Sequence, residues 1–235
     1  MHGPAEKPRQ RNSVLDLASM PVREVNQLLH DTRSGAFLIK NPRGAHALAC
    51  GLDAPLDVTI DGHVGYYCAG MNKSARVTIF GNAGTGVAEN MMSGRVHVMG
   101  DASQSAGATG CGGLLVIDGN AAARCGISLR GLDIVVKGSI GHMSAFMAQA
   151  GNVVVLGDAG DSLGDSIYEA RLFVRGEVAS LGTDCIEKPM RDEHKTALAK
   201  LLADAGVDGI SIGDFRRYGS ARTLYNFHID NLGSY

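Results

Sequence analysis

The chain has 235 residues, a formal net charge of -2, 45% hydrophobic residues and 32 glycines. That length can bury a real core in one large domain or two small ones. The balanced charge, with no long basic stretch, argues against a nucleic-acid partner, and no apolar run reaches the length of a membrane span. Glycine stands at about twice its usual share, while aromatics are scarce and Trp is absent, a composition suited to narrow, closely spaced backbone.

The N-terminal "MHGPAEKPRQRNS" has no apolar centre, so it is not a secretory signal; residues 1–13 read as a disordered arm. "SMPVREVNQLLHDT" (19–32) reads as a short helix, with Ser19 as its cap, Pro21 in its first turn and Val22, Val25 and Leu29 on one face. Residues 36–56 have strand character but lie off the frame that follows. Together, 14–56 are expected to form an N-terminal cap and an irregular first coil.

From Gly62 the sequence repeats. A glycine follows a strand-like run at Gly62, Gly81, Gly100, Gly119, Gly138, Gly157 and Gly176, every step being 19 residues. A fixed period of this kind signals a stacked architecture. Four residues before each glycine stand Val58, Val77, Val96, Leu115, Ile134, Val153 and Leu172; two before stand Ile60, Ile79, Val98, Ile117, Val136, Val155 and Val174. Apolar residues two apart share one face of a strand, and most of these are β-branched. Small residues dominate three and seven positions after each glycine, as at Gly65, Gly84, Ala69 and Ala88, where a tight corner or the approach of the next coil is expected. No proline occurs between Pro55 and Pro189, consistent with unbroken ladders.

The predicted fold is an all-β solenoid: a right-handed parallel β-helix of about seven 19-residue coils over residues 57–188, with short helical caps at both ends. At a strand spacing of roughly 4.8 Å the seven coils make a rod of roughly 30 Å. A leucine-rich or βαβ repeat fits less well, because each coil has too few residues left for a helix, and those are Gly, Ala and Ser. "GNAGTG" (81–86) superficially resembles a dinucleotide-binding turn, but it recurs in altered form in every coil and no amphipathic helix follows it.

Residues 189–235 are expected to be a C-terminal helix and docking tail. "PMRDEHKTALAKLLADAG" (189–206) has Pro189 at its start, Asp192 and Glu193 early and Gly206 at its end. Its apolar side is Leu198, Leu201, Leu202 and Ala205. The tail (215–235) holds Phe215, Tyr218, Tyr225, Phe227 and Tyr235 among Arg216, Arg217 and Arg222; it fits either an ordered tail along the solenoid or a docking segment, since Arg and Tyr are favoured interface anchors. The outward column three before each glycine reads Thr59, Thr78, His97, Val116, Val135, Val154, Phe173. An outward apolar ladder needs a cover, so the C-terminal segment or a partner is predicted to lie over its last four members.

No catalytic constellation converges. His30, His46, His63, His97, His142, His194 and His228 share no column; His63 and His142 are expected to be exposed near turns. The five cysteines, Cys50, Cys68, Cys111, Cys125 and Cys185, form no CxxC pair and read as ordinary thiols of a reducing cytoplasm. Cys68 and Cys125 share a column three coils apart, about 14 Å at the strand spacing, too far for a disulfide. His63, Asn82, Asp101, Asn120, Ser139, Asp158 and Glu177 follow the corner glycines and are expected to favour turns through local side-chain to backbone bonds; the series is too mixed for a calcium-binding solenoid. No catalytic, cofactor-binding or metal residue is assigned.

"GNAGTGVAENMMSGRVHVMGDASQSAGATGCGG" (81–113) and "GDAGDSLGDSIYEA" (157–170) resemble the Gly-x-Gly-x-Gly β-helix family. That family includes the C-terminal domain of the large glutamate synthase subunit and the β-helix subunit of formylmethanofuran dehydrogenase. The resemblance covers about residues 36–185. It departs from the pattern where Ala or Ser replaces Gly and where Gly131 is displaced by one position. "SLGTDCIEKPMRDEH" (180–194) with "FRRYGSARTLYNF" (215–227) is similar to the stand-alone β-helix subunit of N-methylglutamate synthase. This likeness implies a cytoplasmic hetero-oligomer with an amidotransferase-like subunit and an FMN-binding synthase subunit. The complex would convert glutamate and methylamine to N-methylglutamate and ammonia. FMN and an iron–sulfur cluster would sit on a partner chain, leaving this one a non-catalytic scaffold. The alternative is the β-helix subunit of a formylmethanofuran dehydrogenase or formyltransferase/hydrolase complex.

Overall fold

A computed structural model describes residues 13–222. The chain runs β1 (Ser13–Asp16), α1 (Val22–Asp31), β2 (Gly35–Lys40), β3 (Leu56–Asp61), β4 (Arg76–Ile79), β5 (Arg95–Val98), β6 (Leu114–Ile117), β7 (Arg130–Val136), β8 (Ala150–Val155), β9 (Arg171–Val174), β10 (Cys185–Lys188), α2 (Asp192–Asp204), a 3₁₀ turn (Ile212–Asp214) and β11 (Arg216–Ser220). Strands β1 to β9 lie side by side in chain order, and β11 and then β10 complete the sheet. Consecutive strands from β1 to β9 pair in parallel. The predicted parallel solenoid is therefore the fold.

The register is the one that the sequence columns require. Val58 pairs with Val77, Val77 with Val96, Val96 with Leu115, and so on to Leu172. Both inward columns are buried and belong to one continuous core. A second parallel ladder passes through single residues, Val64, Ala83, Ala102, Ala121, Ile140, Ala159 and Val178. The seven corner glycines stack coil on coil. Gly119 N–H donates to Gly100 O at 3.0 Å, and Gly138 N–H to Gly119 O at 2.9 Å. A Cβ on Gly119 would lie 2.9 Å from the backbone carbonyl of Gly100 and would collide with Asp101 Oδ1.

The remaining corner is built differently. Positions five, seven and nine after the corner glycine take left-handed backbone in turn: Tyr67, Ala69 and Met71 have φ of 60°, 53° and 55°, and Ser105, Gly107 and Thr109 have 60°, 67° and 56°. Each non-glycine member costs about 1–2 kcal/mol locally, so the backbone bonds between coils must hold the shape. The middle member is small for another reason: a Cβ on Gly107 would come 2.7 Å from Ile134 Cδ1. The interior is already full there.

The polar column after the corner glycines corrects the local-turn expectation. Each side chain accepts from the backbone of the next coil, not its own: Asn82 N–H donates to His63 Nδ1 (2.9 Å), Asp101 N–H to Asn82 Oδ1 (3.0 Å), Asn120 N–H to Asp101 Oδ1 (2.7 Å), Ser139 N–H to Asn120 Oδ1 (2.9 Å), Asp158 N–H to Ser139 Oγ (2.9 Å) and Glu177 N–H to Asp158 Oδ1 (2.8 Å). The column needs an acceptor of short reach, which His, Asn, Asp and Ser all supply. That shared need explains its mixed composition.

At the N-terminal end α1 buries Val25 and Leu29 against the core. Asn26 completes an open coil edge: its Nδ2 donates to Ala47 O and its Oδ1 accepts from Ala49 N–H, both at 2.8 Å. The helix starts later than expected. Pro21 is its N-cap, without a side-chain bond, while Ser19 Oγ donates back to Asp16 O. Likewise α2 does not open at Pro189: Arg191 is its N-cap, with His194 Nδ1 accepting from Arg191 N–H at 3.1 Å. The edge of β9 is taken by β11, which runs antiparallel to it. Tyr225, Phe227, His228 and Tyr235 lie outside the described residues.

Gly119→Ala is expected to lose about 1–3 kcal/mol through overpacking in denaturant unfolding. Gly213→Ala, whose Cβ would meet nothing closer than Ser211 Oγ at 3.4 Å, should stay within about 0.5 kcal/mol of the parent.

Candidate functional site

The outer face of the β3–β9 ladder is divided in two. Over its last four coils, Val116, Val135, Val154 and Phe173 are all buried, clustered with Leu198, Leu201, Leu202 and Ala205 of α2 and with Phe215. The predicted cover is thus the chain's own C-terminal segment. The helix lies along the rod: His194 in its first turn shares a recess with Arg171 of β9, and the carbonyl of Asp204 in its last turn accepts from Arg95 Nη1 of β5 at 2.7 Å. Four strand steps span about 19 Å, and 13 residues of α-helix also span about 19 Å. The two lengths match.

Polar groups rim this joint. His97 Nε2 lies 2.9 Å from Asp118 Oδ1, and Lys137 Nζ is 2.8 Å from the same oxygen. Burial pushes the Asp118 carboxyl up, but the hydrogen bonds from Lys137 and His97 outweigh it and hold the group below its ordinary range. On the opposite edge Asn152 Nδ2 donates to Asp133 Oδ1 at 2.7 Å. Burial raises the Asp133 carboxyl, and Asn152 Oδ1 is buried without a partner among the described residues.

Past the end of α2, the face is open over the first coils. Thr59 and Thr78 continue the outward column, and beside them Phe80 and Met99 are 53% and 43% exposed. A recess of about 430 Å³ opens where the helix stops, walled by Asp57, Ser74, Arg76 and Arg95. This uncovered face is the candidate site for contact with another molecule.

The residues weighed for chemistry are dispersed. His30 Nε2 contacts Cys50 O at 2.7 Å, and His46 stacks on Tyr66 with ring centroids 4.1 Å apart. His63 and His142 are not buried, while His194 is. All five cysteines are free thiols. Burial pushes the Cys50 and Cys185 thiols up to about 11 and Cys125 to about 12, and raises Cys68 as well. Such thiols are poor nucleophiles. Among the described residues no group of three or more His, Cys, Asp or Glu side chains could hold a metal ion, and no helix is long and apolar enough to cross a membrane.

No protein-family model matches the chain. A curated relative, Protein GlxC of Rhizobium meliloti (strain 1021), is 63% identical over 226 residues, covering 94% of this chain and 99% of that protein. The chain belongs to the GlxC family.

The joint between α2 and the solenoid yields two expectations. Phe173→Ala should destabilise by about 3–5 kcal/mol in equilibrium unfolding, although its side chain points away from the solenoid interior. Asp118, whose carboxyl is depressed by folding, stabilises the fold above its unfolded pKa of about 3.9 and ceases to do so as pH falls through the folded value. Asp118→Asn should therefore be less stable than the parent at pH 6. The gap should close on acidification below about pH 4, as read from urea midpoints across the range.

Proposed function

We infer that this chain is the non-catalytic scaffold subunit of a glutamate synthase-like complex of the N-methylglutamate synthase type. In that assembly an amidotransferase-like subunit and an FMN-binding synthase subunit convert glutamate and methylamine to N-methylglutamate and ammonia. FMN and the iron–sulfur cluster belong to the partner chain. The observation that carries the reading is the division of the outer face. Over the described residues the interior is lined by stacked aliphatic side chains. One half of the exterior is occupied by the chain's own helix, and the other half presents Phe80, Met99 and an open recess. A rigid body with one uncovered face fits a part that holds other chains in register. The motifs "SLGTDCIEKPMRDEH" and "FRRYGSARTLYNF", with their likeness to the N-methylglutamate synthase β-helix subunit, supply the reaction.

Affinity isolation of the chain from its native source, followed by a visible spectrum and a turnover assay of the isolate, tests this directly. The expected isolate contains a flavoprotein partner and forms N-methylglutamate from glutamate and methylamine. The purified chain alone should show neither flavin absorbance nor turnover. Phe80→Asp should lose the partner while leaving the chain folded. Turnover or tight FMN binding by the isolated chain would overturn the scaffold reading. A metallohydrolase-like formyltransferase in place of the flavoprotein would replace it with the formyl-transferring alternative.

A further inference from the structure

At the first turn of α2, the far end of the helix from the Arg95–Asp204 contact, a second recess of about 180 Å³ opens between β9, β10 and β11. Its wall is cationic. Arg171 comes from β9, Lys188 from β10, Arg217 from β11 and Arg222 from the segment just beyond, with His194 from α2 and Glu169 as the single lining carboxylate. These positions are far apart in sequence, and the reversal of the chain through β10, α2 and β11 gathers them.

Among the described residues, carboxylates offset this charge only in part: Glu169 lines the wall, and Glu193 Oε1 lies 3.5 Å from His194 Nε2. Arg222 is ion-paired with Asp184. Lys188 Nζ donates to the neutral carbonyl of Ser220 at 2.6 Å, and Arg217 Nε to that of Pro189 at 3.1 Å. None of Arg171, Lys188 and Arg217 has an ion pair among the described residues. Burial, and then the like charges of Arg171 and Arg191, depress the Arg217 guanidinium. Burial, followed by Arg217 and Arg171, does the same to His194. Cations crowded at a partly desolvated wall repel one another, and an anion between them relieves that repulsion while accepting their donors.

We propose that this recess binds a small free oxyanion with two negative charges, of the phosphate or short dicarboxylate class. Arg217 presents its remaining guanidinium nitrogens and Arg171 a whole guanidinium, the donor geometry that matches planar or tetrahedral oxyanions in pairs of bonds. Lys188 adds a point charge, and Ser220 lines the wall beside it. The volume equals the share of about six waters in the liquid, enough for either class. The site lies within this chain and stands or falls independently of the assembly inferred above.

Calorimetric titration of the full chain with inorganic phosphate and with succinate, each against sodium chloride at matched ionic strength, tests the site. Saturable binding of one or both anions is expected, and the stronger of the two names the class. Arg171→Gln should weaken that binding about 10- to 100-fold, the loss of one charge-assisted hydrogen bond. Its melting temperature without ligand should not fall, because the side chain is exposed, has no ion pair among the described residues and adds to the repulsion on the wall. Arg33→Gln removes the same charge near the other end of the rod, where Arg33 pairs with Asp53, and should bind like the parent. Binding no stronger than that of chloride would overturn the proposal. So would equal weakening by both substitutions, which would mark a diffuse charge effect, or unaltered binding by Arg171→Gln.

Discussion

Everything in this molecule answers to one demand: each winding of backbone must satisfy its hydrogen bonds against the winding before it. Along the corner glycines the coil-to-coil N–H to O distances stay between 2.9 and 3.1 Å from Gly100 to Gly176. Where one residue is out of step, as between Arg130 and Asp133 of β7, the pairing with β8 shifts register around it; an unpaired buried group would cost about as much as a lost hydrogen bond. The 19-residue period follows from this, as do the bare glycines where backbone meets backbone. The left-handed residues of the far corner follow too. Tyr67, Met71 and Thr109 hold conformations they would avoid in isolation, because the neighbouring coils fix both flanks.

The same demand determines where function can reside. Interior columns of Val, Ile and Leu pack tightly enough that a methyl group at Gly107 has no room. What distinguishes one coil from the next therefore lies on the outside, where the C-terminal segment packs over the last four coils. Two polar assemblies mark the ends of α2: Arg95 bonded to the carbonyl of Asp204 at one, and a cationic recess at the other. Between them the helix seals an apolar strip. Beyond its last turn the strip gives way to Thr59, Thr78, Phe80 and Met99, which no described part of this chain covers.

How far the sequence reveals this depends on whether neighbours in space are also neighbours in a column. Val58 over Val77 over Val96 is legible at once, as is the outward run from Val116 to Phe173, because a fixed period converts sequence spacing into stacking. Diagonal pairs escape. His97 and Asp118 stand 21 residues apart, in different columns of adjacent coils, so aligning the repeats never brings them together. The polar column is visible, but its use is not: a side chain that bonds the next coil looks the same in sequence as one that bonds its own turn. The helix starts differ from Ser19 and Pro189: Pro21 caps α1 without a side-chain bond, and the Arg191 N–H of α2 is met by His194 Nδ1, so neither N-cap residue is the short side-chain acceptor that marks most caps. The cationic recess is hidden altogether, since β11 reverses direction against β9 outside the repeating frame.

One further consequence lies in the length of α2. A stack held only by contacts between adjacent layers can unzip from an exposed end, one layer after another. Here a single stiff strut crosses four layers, seated on Phe173 near one end and tied to Arg95 at the other. The layer next to the C-terminal edge cannot peel away until that strut lifts, and lifting it uncovers Val116, Val135 and Val154 together. A fraying edge becomes a latch, and the C-terminal half of the rod opens as a block or stays shut.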